Sequence, residues 1–424
     1  MKTAIQSLKG TRDFYPEEMA TRTWIYNKIR HVSESFSYQE YDAPFLESID
    51  LYGAKSGEEL VNQQSFVFAD RGGDLITLRP ELTPSLARMV AQRQRELIYP
   101  LRWWSWGPFW RYERPQKGRY REFFQWNIDL IGVDNPQADA EIAAIGATFL
   151  RDCGLTSDQV SILVNSRQLM DAELQALEIS PEKKIDVFRL IDRRDKISEK
   201  SWEGYAGELG LNTVQIDGLK TILANNGLWQ KSALMEEFFE SVHAMGVADY
   251  IRYAPHIIRG LDYYTGIIFE TWDRDGEFRA VLGGGRYDNL VAAVGGDPLP
   301  ATGFAMGDAV VTLVLKKFSC LPSGLGDSPA KILVTIFNYE SLNASLAFAS
   351  NLRQSGLSVA CYPEAAKISR QFKYAEKMGM LVVAVIGPDE LAAKTVTLKD
   401  LRSGSQVIVP QVEAIRAIQK ILST

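Results

Sequence analysis

Residues 101–131 carry the pattern that most limits how this chain can fold. Leu101–Trp106 and Phe123–Ile131 are rich in aromatic and β-branched residues, which favour strands. A polar, glycine-containing stretch separates them, so the pair predicts an antiparallel hairpin with a long tip. From Arg102 to Arg121 the chain reads RWWSWGPFWRYERPQKGRYR, with six bases and one acid, Glu113, for a local charge of +5. Strands this aromatic belong in a core, so the basic loop between them is held rigidly over a pocket. Arg111 and Glu113, two apart on a strand, project from the same face. They can clamp a polyphosphate and an amino group side by side, because Arg offers phosphate a planar bidentate fork. The alternative, an ordinary solvated hairpin tip, is not excluded by charge alone.

The rest of the 424-residue chain is long enough for two or three packed domains. Trp24–Phe36 reads as a helix, Tyr41–Phe45 as a strand, and Ile257–Gly260 with Ile267–Trp272 as a second antiparallel pair. Thr312–Lys317 closes a helix that begins near Asp308. Between Met170 and Asp249 the chain is charged and helical without a strand signal, as an inserted helical subdomain would be. Cys320–Ala330, CLPSGLGDSPA, is a linker by its Pro, Gly and Ser content. Beyond it Ile332–Phe337, Val359–Tyr362 and Leu381–Ile386 read as buried strands. They alternate with helices over Ser341–Gln354 and Val412–Leu422, which predicts a compact α/β domain. Three scattered histidines and three scattered cysteines argue against a zinc site or a disulfide framework and fit a reducing cytosol. No apolar run is long enough to span a bilayer.

Three more segments look chemical. Arg259–Glu270, RGLDYYTGIIFE, places glycines on either side of Tyr263 and Tyr264 and runs into an apolar strand. An Arg beside a Tyr pair can bind a carboxylate or phosphate and a ring; a plain hairpin turn is the competing reading. Leu282–Tyr287, LGGGRY, marks close approach of backbone or a strand bend. It is neither a GxGxxG fingerprint nor a phosphate loop of the GxxxxGKS type. Thr77–Arg88, TLRPELTPSLAR, has a turn at Pro80, an acid at Glu81 and a Thr cap before a helix starting near Pro84. Taken alone, Glu81 and Thr83 are a capping arrangement.

Together, KGTRDFYP (9–16), LRPELT, FWRYERPQKGRYREFFQ, RGLDYYTGIIFE, GGGRYD, GFAMG and QFKYAEKMG (371–379) resemble the class II histidyl-tRNA synthetases over nearly the whole chain. RGLDYYTG is the most specific element; the WRYE form of FRxE is shared by class II synthetases generally. The resemblance implies an α+β fold: an antiparallel catalytic sheet with helices, a helical insertion and a C-terminal α/β anticodon-binding domain. The corresponding divisions are 1–169 and 250–319 for the catalytic core, 170–249 for the insertion, 320–330 for the linker and 331–424 for the anticodon-binding domain. It implies activation of L-histidine by ATP with Mg²⁺, transfer to tRNA(His), and a cytoplasmic homodimer whose interface includes Trp24–Phe45, with Pro44 as the motif-one proline.

Carried over by position, the resemblance gives Glu81 and Thr83 the histidine α-amino group and places Gln125 beside the substrate. Asp129 stands where the family often has Glu facing the imidazole, and Tyr264, with Tyr263 nearby, lines the ring pocket. Arg111 and Arg259 grip the α-phosphate and the substrate carboxylate and are the catalytic pair. Glu113 and Phe123 hold the adenine, Arg119 completes the ATP site, and Gln116 meets the acceptor end of the tRNA.

One departure stands out. Many members read GFAxGLER where this chain has GFAMGDAVV (303–311), with Val310 at the place of an arginine that contacts the γ-phosphate end of ATP; plant-type members carry a similar form. The loop carrying Arg119 and Arg121 is the place expected to supply compensating charge. Two alternatives remain: a non-catalytic regulatory paralogue from ATP phosphoribosyltransferase, against which the domain after residue 330 speaks, and a class II synthetase for another amino acid. The net charge of −6 hides its distribution. Residues 331–424 carry +4 and Arg102–Arg121 carry +5, leaving −15 elsewhere, so positive charge sits on the two segments expected to touch RNA.

Overall fold

The computed structural model describes residues 5–53, 63–194, 197–258 and 264–423. The chain divides into two compact units, Met1–Pro322 and Ser323–Thr424. The first unit contains strands β1 (Gln39–Glu40), β2 (Leu46–Ser48), β3 (Phe66–Ala69), β4 (Leu75–Leu78), β5 (Leu101–Trp110) and β6 (Glu122–Ile131). Further along it come β7 (Val160–Ser166), β8 (Ile251–Tyr253), β9 (Ile267–Asp273), β10 (Leu282–Arg286) and β11 (Ala301–Gly307). Eight of these form one sheet in the order β1-β5-β6-β11-β10-β9-β7-β8. It is antiparallel except where β1 meets β5 and β7 meets β8. Strands β2, β4 and β3 make a smaller antiparallel sheet.

The β5–β6 hairpin pairs in unbroken register from Leu101↔Ile131 to Trp110↔Glu122. Alternation sends Trp104, Trp126 and Ile128 to one face, where they are fully buried. Helix Pro136–Asp152 covers that face. Its start is set by Pro136 and by the Asn135 side chain, which accepts from the Ala138 amide. Ala140, Ala143, Ala144 and Ala147 let it lie close to the sheet, and Phe149 packs on the Trp126 ring at 5.3 Å. The opposite face at this end of the sheet carries Gln125, Asn127 and Asp129. That face is where the chemistry lies.

Five helices, Arg167–Ala176, Lys184–Asp192, Glu199–Glu208, Thr213–Ala224 and Ala233–Ala244, join β7 to its neighbour β8. No strand occurs among the described residues between them. Leu174, Trp202 and Phe238 from these helices are buried in the same hydrophobic cluster as the sheet's Trp104 and Trp126. The helical segment therefore folds onto the core of the sheet.

Two expected strands are absent. Tyr41–Phe45 forms no strand: the Tyr41 amide still donates to the Trp104 carbonyl and the Phe45 carbonyl accepts from the Arg79 amide, both at 2.8 Å, but between them the chain is held by the Arg79 side chain. Arg79, fully buried, donates to the Asp42 carboxylate at 2.6 Å and the Ala43 carbonyl at 2.8 Å, and Pro44 has no amide to give. Ile257 and Ile258 do not pair with β9 either. Pro255 starts a turn there, closed by the Ile257 amide on the Ala254 carbonyl, and β9 pairs with β7 and β10. Arg259 and Gly260 lie outside the described residues.

The second unit has a five-stranded sheet of β12 (Ile332–Val334), β13 (Val359–Cys361), β14 (Val382–Val385), β15 (Thr395–Asp400) and β16 (Gln406–Pro410). Its order is β13-β12-β14-β15-β16, parallel in the first three and antiparallel in the rest. Helix Ile368–Lys377 is pinned to it by the buried Gln371. That amide donates to the Ile336 and Ala366 carbonyls and accepts from the Ile336 amide.

Candidate active site

Six residues singled out in the sequence, Glu81, Thr83, Arg111, Gln125, Asp129 and Tyr264, line one cavity of about 300 Å³. Arg259 and Tyr263 lie outside the described residues. Glu81 sits in the turn that leads from β4 into helix Thr83–Arg93. Thr83 is that helix's first residue and makes no capping bond, so the capping arrangement is not formed and its side chain faces the cavity instead. Arg111 follows β5. Its Nε donates to the Pro80 carbonyl at 2.9 Å, tying the hairpin to the Glu81 turn.

Asp129 is buried, and burial pushes its carboxyl up to about 7 although the Tyr287 hydroxyl donates to its Oδ1 at 2.6 Å. Tyr287, at the end of GGGRY, was not given a role by the sequence. Neither was Glu270, at the end of RGLDYYTGIIFE, which accepts from the Trp272 indole at 3.0 Å and lines the same cavity. Asn127 was missed too, although it shares the face of Gln125 and Asp129 by simple alternation. Across the sheet, these three stand opposite Gly307, Ala305 and Gly303 of β11. The small residues keep the face open. A Cβ on Gly303 would collide with the Asp129 carboxylate, and one on Gly284 with the Gly303 carbonyl. Of the two readings its composition allowed, close approach or a strand bend, the glycine run shows close approach.

A second cavity, of about 550 Å³, is lined by Arg111, Glu113, Arg119 and Phe123. It shares Arg111, Gln125, Gly283 and Ala305 with the first. Phe123 stacks on the buried Phe109 ring at 6.1 Å and lies beneath the Arg111 guanidinium at 5.4 Å. Glu113 is ion-paired with Arg119. At the loop tip the amides of Gln116 and Arg119 donate to each other's carbonyls at 3.0 and 2.8 Å, and Gly118 takes a positive φ of 76°. The Gln116 side chain is exposed and faces neither cavity.

Val310 lines the larger cavity from helix Asp308–Lys317 and packs towards Gly118. Asp308 beside it accepts from Arg12 at 2.8 Å and from the Phe124 amide at 3.1 Å. Arg12, from KGTRDFYP, stacks on Tyr120 at 4.2 Å, so this part of the third motif is wired to the N-terminal segment. Of the two arginines expected to compensate from the β5–β6 loop, Arg119 is held by Glu113. Arg121 braces the loop through the Glu113 carbonyl and the Tyr112 ring, and does not line the cavity. A different cation faces it. Arg279, in the turn between β9 and β10, is exposed on its wall.

A family model described as histidyl-tRNA synthetase matches residues 10–309, and one described as an anticodon binding domain matches residues 331–421. The chain belongs to the histidyl-tRNA synthetases. Histidine–tRNA ligase of Leptospira biflexa is 35% identical, covering 100% of this chain and 99% of the relative. The chloroplastic/mitochondrial ligase of Arabidopsis thaliana is 36% identical over 96% of this chain and 85% of its own length. Among solved structures, histidyl-tRNA synthetase from Nostoc sp. PCC 7120 superposes with a TM-score of 0.83 at 25% identity, covering 99% of this chain and 100% of that one. The family's α+β architecture, an antiparallel-dominated sheet with helices and a C-terminal anticodon-binding domain, is the one described above.

Proposed function

We propose that this chain activates L-histidine with ATP to histidyl-adenylate and transfers the histidyl group to tRNA(His). The observation that carries this reading is the pair of cavities meeting at Arg111. Histidine occupies the smaller, with its amino group towards Glu81 and Thr83, Gln125 beside it and its ring between Asp129 and Tyr264. ATP occupies the larger, with the adenine on Phe123 beside Glu113 and with Arg119 on the same wall. Mg²⁺ enters on the ATP polyphosphate as part of the substrate.

The histidine carboxylate is already anionic, so its attack on the α-phosphorus needs no general base. A C–O–P bond forms, the bond to the β-phosphate's bridging oxygen breaks, and pyrophosphate leaves with that electron pair. What the protein must supply is alignment and positive charge on the equatorial oxygens. Arg111 stands at the junction where those oxygens would lie, and Arg259 is assigned beside it from the sequence resemblance. Attack by a terminal ribose hydroxyl of tRNA on the activated carbonyl then releases AMP. Gln116 on the exposed loop tip suits contact with that acceptor end.

Phe45, Leu46, Val67, Phe68 and Leu75 leave an exposed apolar surface on and beside the small sheet, next to Pro44. It supports a homodimer with the motif-one region in its interface. No helix among the described residues is long and apolar enough to cross a membrane. We assign the protein to the cytoplasm from its resemblance. ATP–pyrophosphate exchange by the purified protein, run with each amino acid in turn, tests the whole reading. Exchange with histidine alone supports it; no exchange with any amino acid sinks it.

A further inference from the structure

Two residues in the wall of the larger cavity, Tyr120 and Asp308, are held by a residue that does not line it. Arg12 donates to both oxygens of the Asp308 carboxylate, at 3.1 and 2.8 Å, and lies over the Tyr120 ring at 4.2 Å. All three border a separate cavity of about 340 Å³, so Arg12 meets the wall from its other side. Asp308 is 3% exposed, and burial raises its pKa above the ordinary carboxylate value, with Arg12 the chief influence opposing the rise. A buried carboxylate is costly unless a cation pairs with it, so this one depends on Arg12. Asp308 passes the restraint on. The β6–β11 ladder ends at Gln125↔Gly307, and the Phe124 amide just beyond it donates to Asp308 at 3.1 Å. Phe124 adjoins Phe123, whose ring lines the larger cavity.

The same N-terminal segment grips the basic loop at its base. The Gly10 carbonyl accepts from the Arg121 amide at 2.8 Å. Gly10 has a φ of 90°, and a Cβ there would meet the Arg121 and Pro115 side chains at 2.8 and 2.9 Å. The loop so gripped carries Glu113 and Arg119 of the larger cavity and the exposed Gln116. We infer that Arg12 is a positioning residue for ATP, setting the basic loop through Tyr120 and the Phe123 shelf through Asp308. Its anchor, Asp308, stands where many family members have leucine. The inference rests on the reading of the larger cavity as the ATP site and adds a residue that touches no substrate. The competing role is a plain staple of the N-terminal segment to the core. Arg22, which lies over the Phe14 and Phe124 rings at 4.5 and 4.2 Å, would share that task.

The test titrates ATP and histidine separately in pyrophosphate exchange, and follows tryptic cleavage after Lys117 and Arg119 in the full chain without substrates. Arg12→Ala should raise the KM for ATP about tenfold, the size of one charge-assisted contact, and leave the KM for histidine within about twofold. Loop cleavage should quicken about tenfold, because the same contact opposes local opening. Arg12→Lys, which keeps a cation beside Asp308 but not the planar stack, should bring both effects down to about threefold. Adding Asp308→Asn to Arg12→Ala should cost nothing further, since the pair acts as one unit. An unchanged KM for ATP in Arg12→Ala overturns the inference, and a lowered melting temperature beside it is the result expected of the staple. Unchanged loop cleavage, or an equal rise in both KM values, overturns it too. Should Arg12→Ala fail to fold, Arg12→Lys decides by the same two readouts. If the wild-type chain shows no exchange with histidine, it is the functional reading that fails, and loop cleavage still tests the hold of Arg12.

Discussion

The two cavities that meet at Arg111 are built on opposite plans. The amino-acid side is walled by buried groups on sheet strands: Asp129 is 5% exposed, Asn127 4% and Tyr287 3%, and glycines on β10 and β11 form the floor. The side proposed for ATP adds to its strand residues a rim of loop and turn residues whose charged groups are ion-paired, with Arg119 on Glu113, Arg12 on Asp308, and Lys317 on Glu277 at 3.3 Å. On the proposed function, the first would select by shape and by the cost of unpaired buried polar atoms, which discriminates sharply between small ligands. The second would supply charge to a large, hydrated anion and can stay open. The two share strand residues of β6, β10 and β11, and the second adds the charged loop and turn residues.

Arg111 belongs to both plans, so its loss should erase the contrast. Arg111→Ala is expected to lower exchange by about 100-fold or more and to weaken both substrates, as removal of a transition-state charge contact does. Separate titrations of histidine and ATP check this. A defect confined to one substrate would mean that the residue serves one cavity alone.

How legible this was depended on the range of the interaction. The β5–β6 hairpin follows from local pattern, Gln125 and Asp129 came from the family resemblance, and alternation along β6 places Asn127 beside them. Short strands, the buried Val160–Ser166 and the pair of Thr395–Asp400 with the mostly exposed Gln406–Pro410, were passed over because five to seven residues give a weak periodic signal. Contacts such as Arg12 with Asp308, 296 positions apart, have no local signature at all. Thr83 shows the opposite failure. Its sequence context is that of a cap, but the helix begins one residue too early for that role, and the hydroxyl is spared for the cavity.

On the ATP side, the sharpest probe is the turn between β9 and β10. Asp273 accepts from the amides of Glu277 and Phe278, both at 3.0 Å, which fixes the turn. Asp275 and Glu277 are paired with Lys317, and Arg274 reaches Asp158 at 3.7 Å. Arg279 is the charged residue of this turn that no ion pair or hydrogen bond holds among the described residues, and it faces the cavity in which Val310 stands where many family members have an arginine. Arg279→Ala should raise the KM for ATP about tenfold, the size of one charge-assisted contact, and leave the KM for histidine within about twofold. Adding Val310→Arg to that variant should recover part of the loss by restoring a cation from the facing helix. Equal effects on both substrates would show that the two cavities are not divided in this way.

The smallest effect comes from the amino-acid side and reads its burial directly. Because burial favours the protonated acid, Asp129 ionises near pH 7 in the free protein, well above an ordinary carboxyl. Its strength as an acceptor for an imidazole N–H therefore grows as pH rises through that value. The kcat/KM for histidine, which reports the free enzyme, should climb by roughly tenfold or less between pH 6 and pH 8 as the ionised fraction fills. Asp129→Asn cannot ionise, so in the variant that component of the rise should vanish, leaving only what the substrate's own ring contributes. The KM for ATP, set on the open and ion-paired side, should not follow the Asp129 titration in either protein. A pH profile that survives in Asp129→Asn would place the titrating group elsewhere and remove the buried carboxylate from the basis of the contrast.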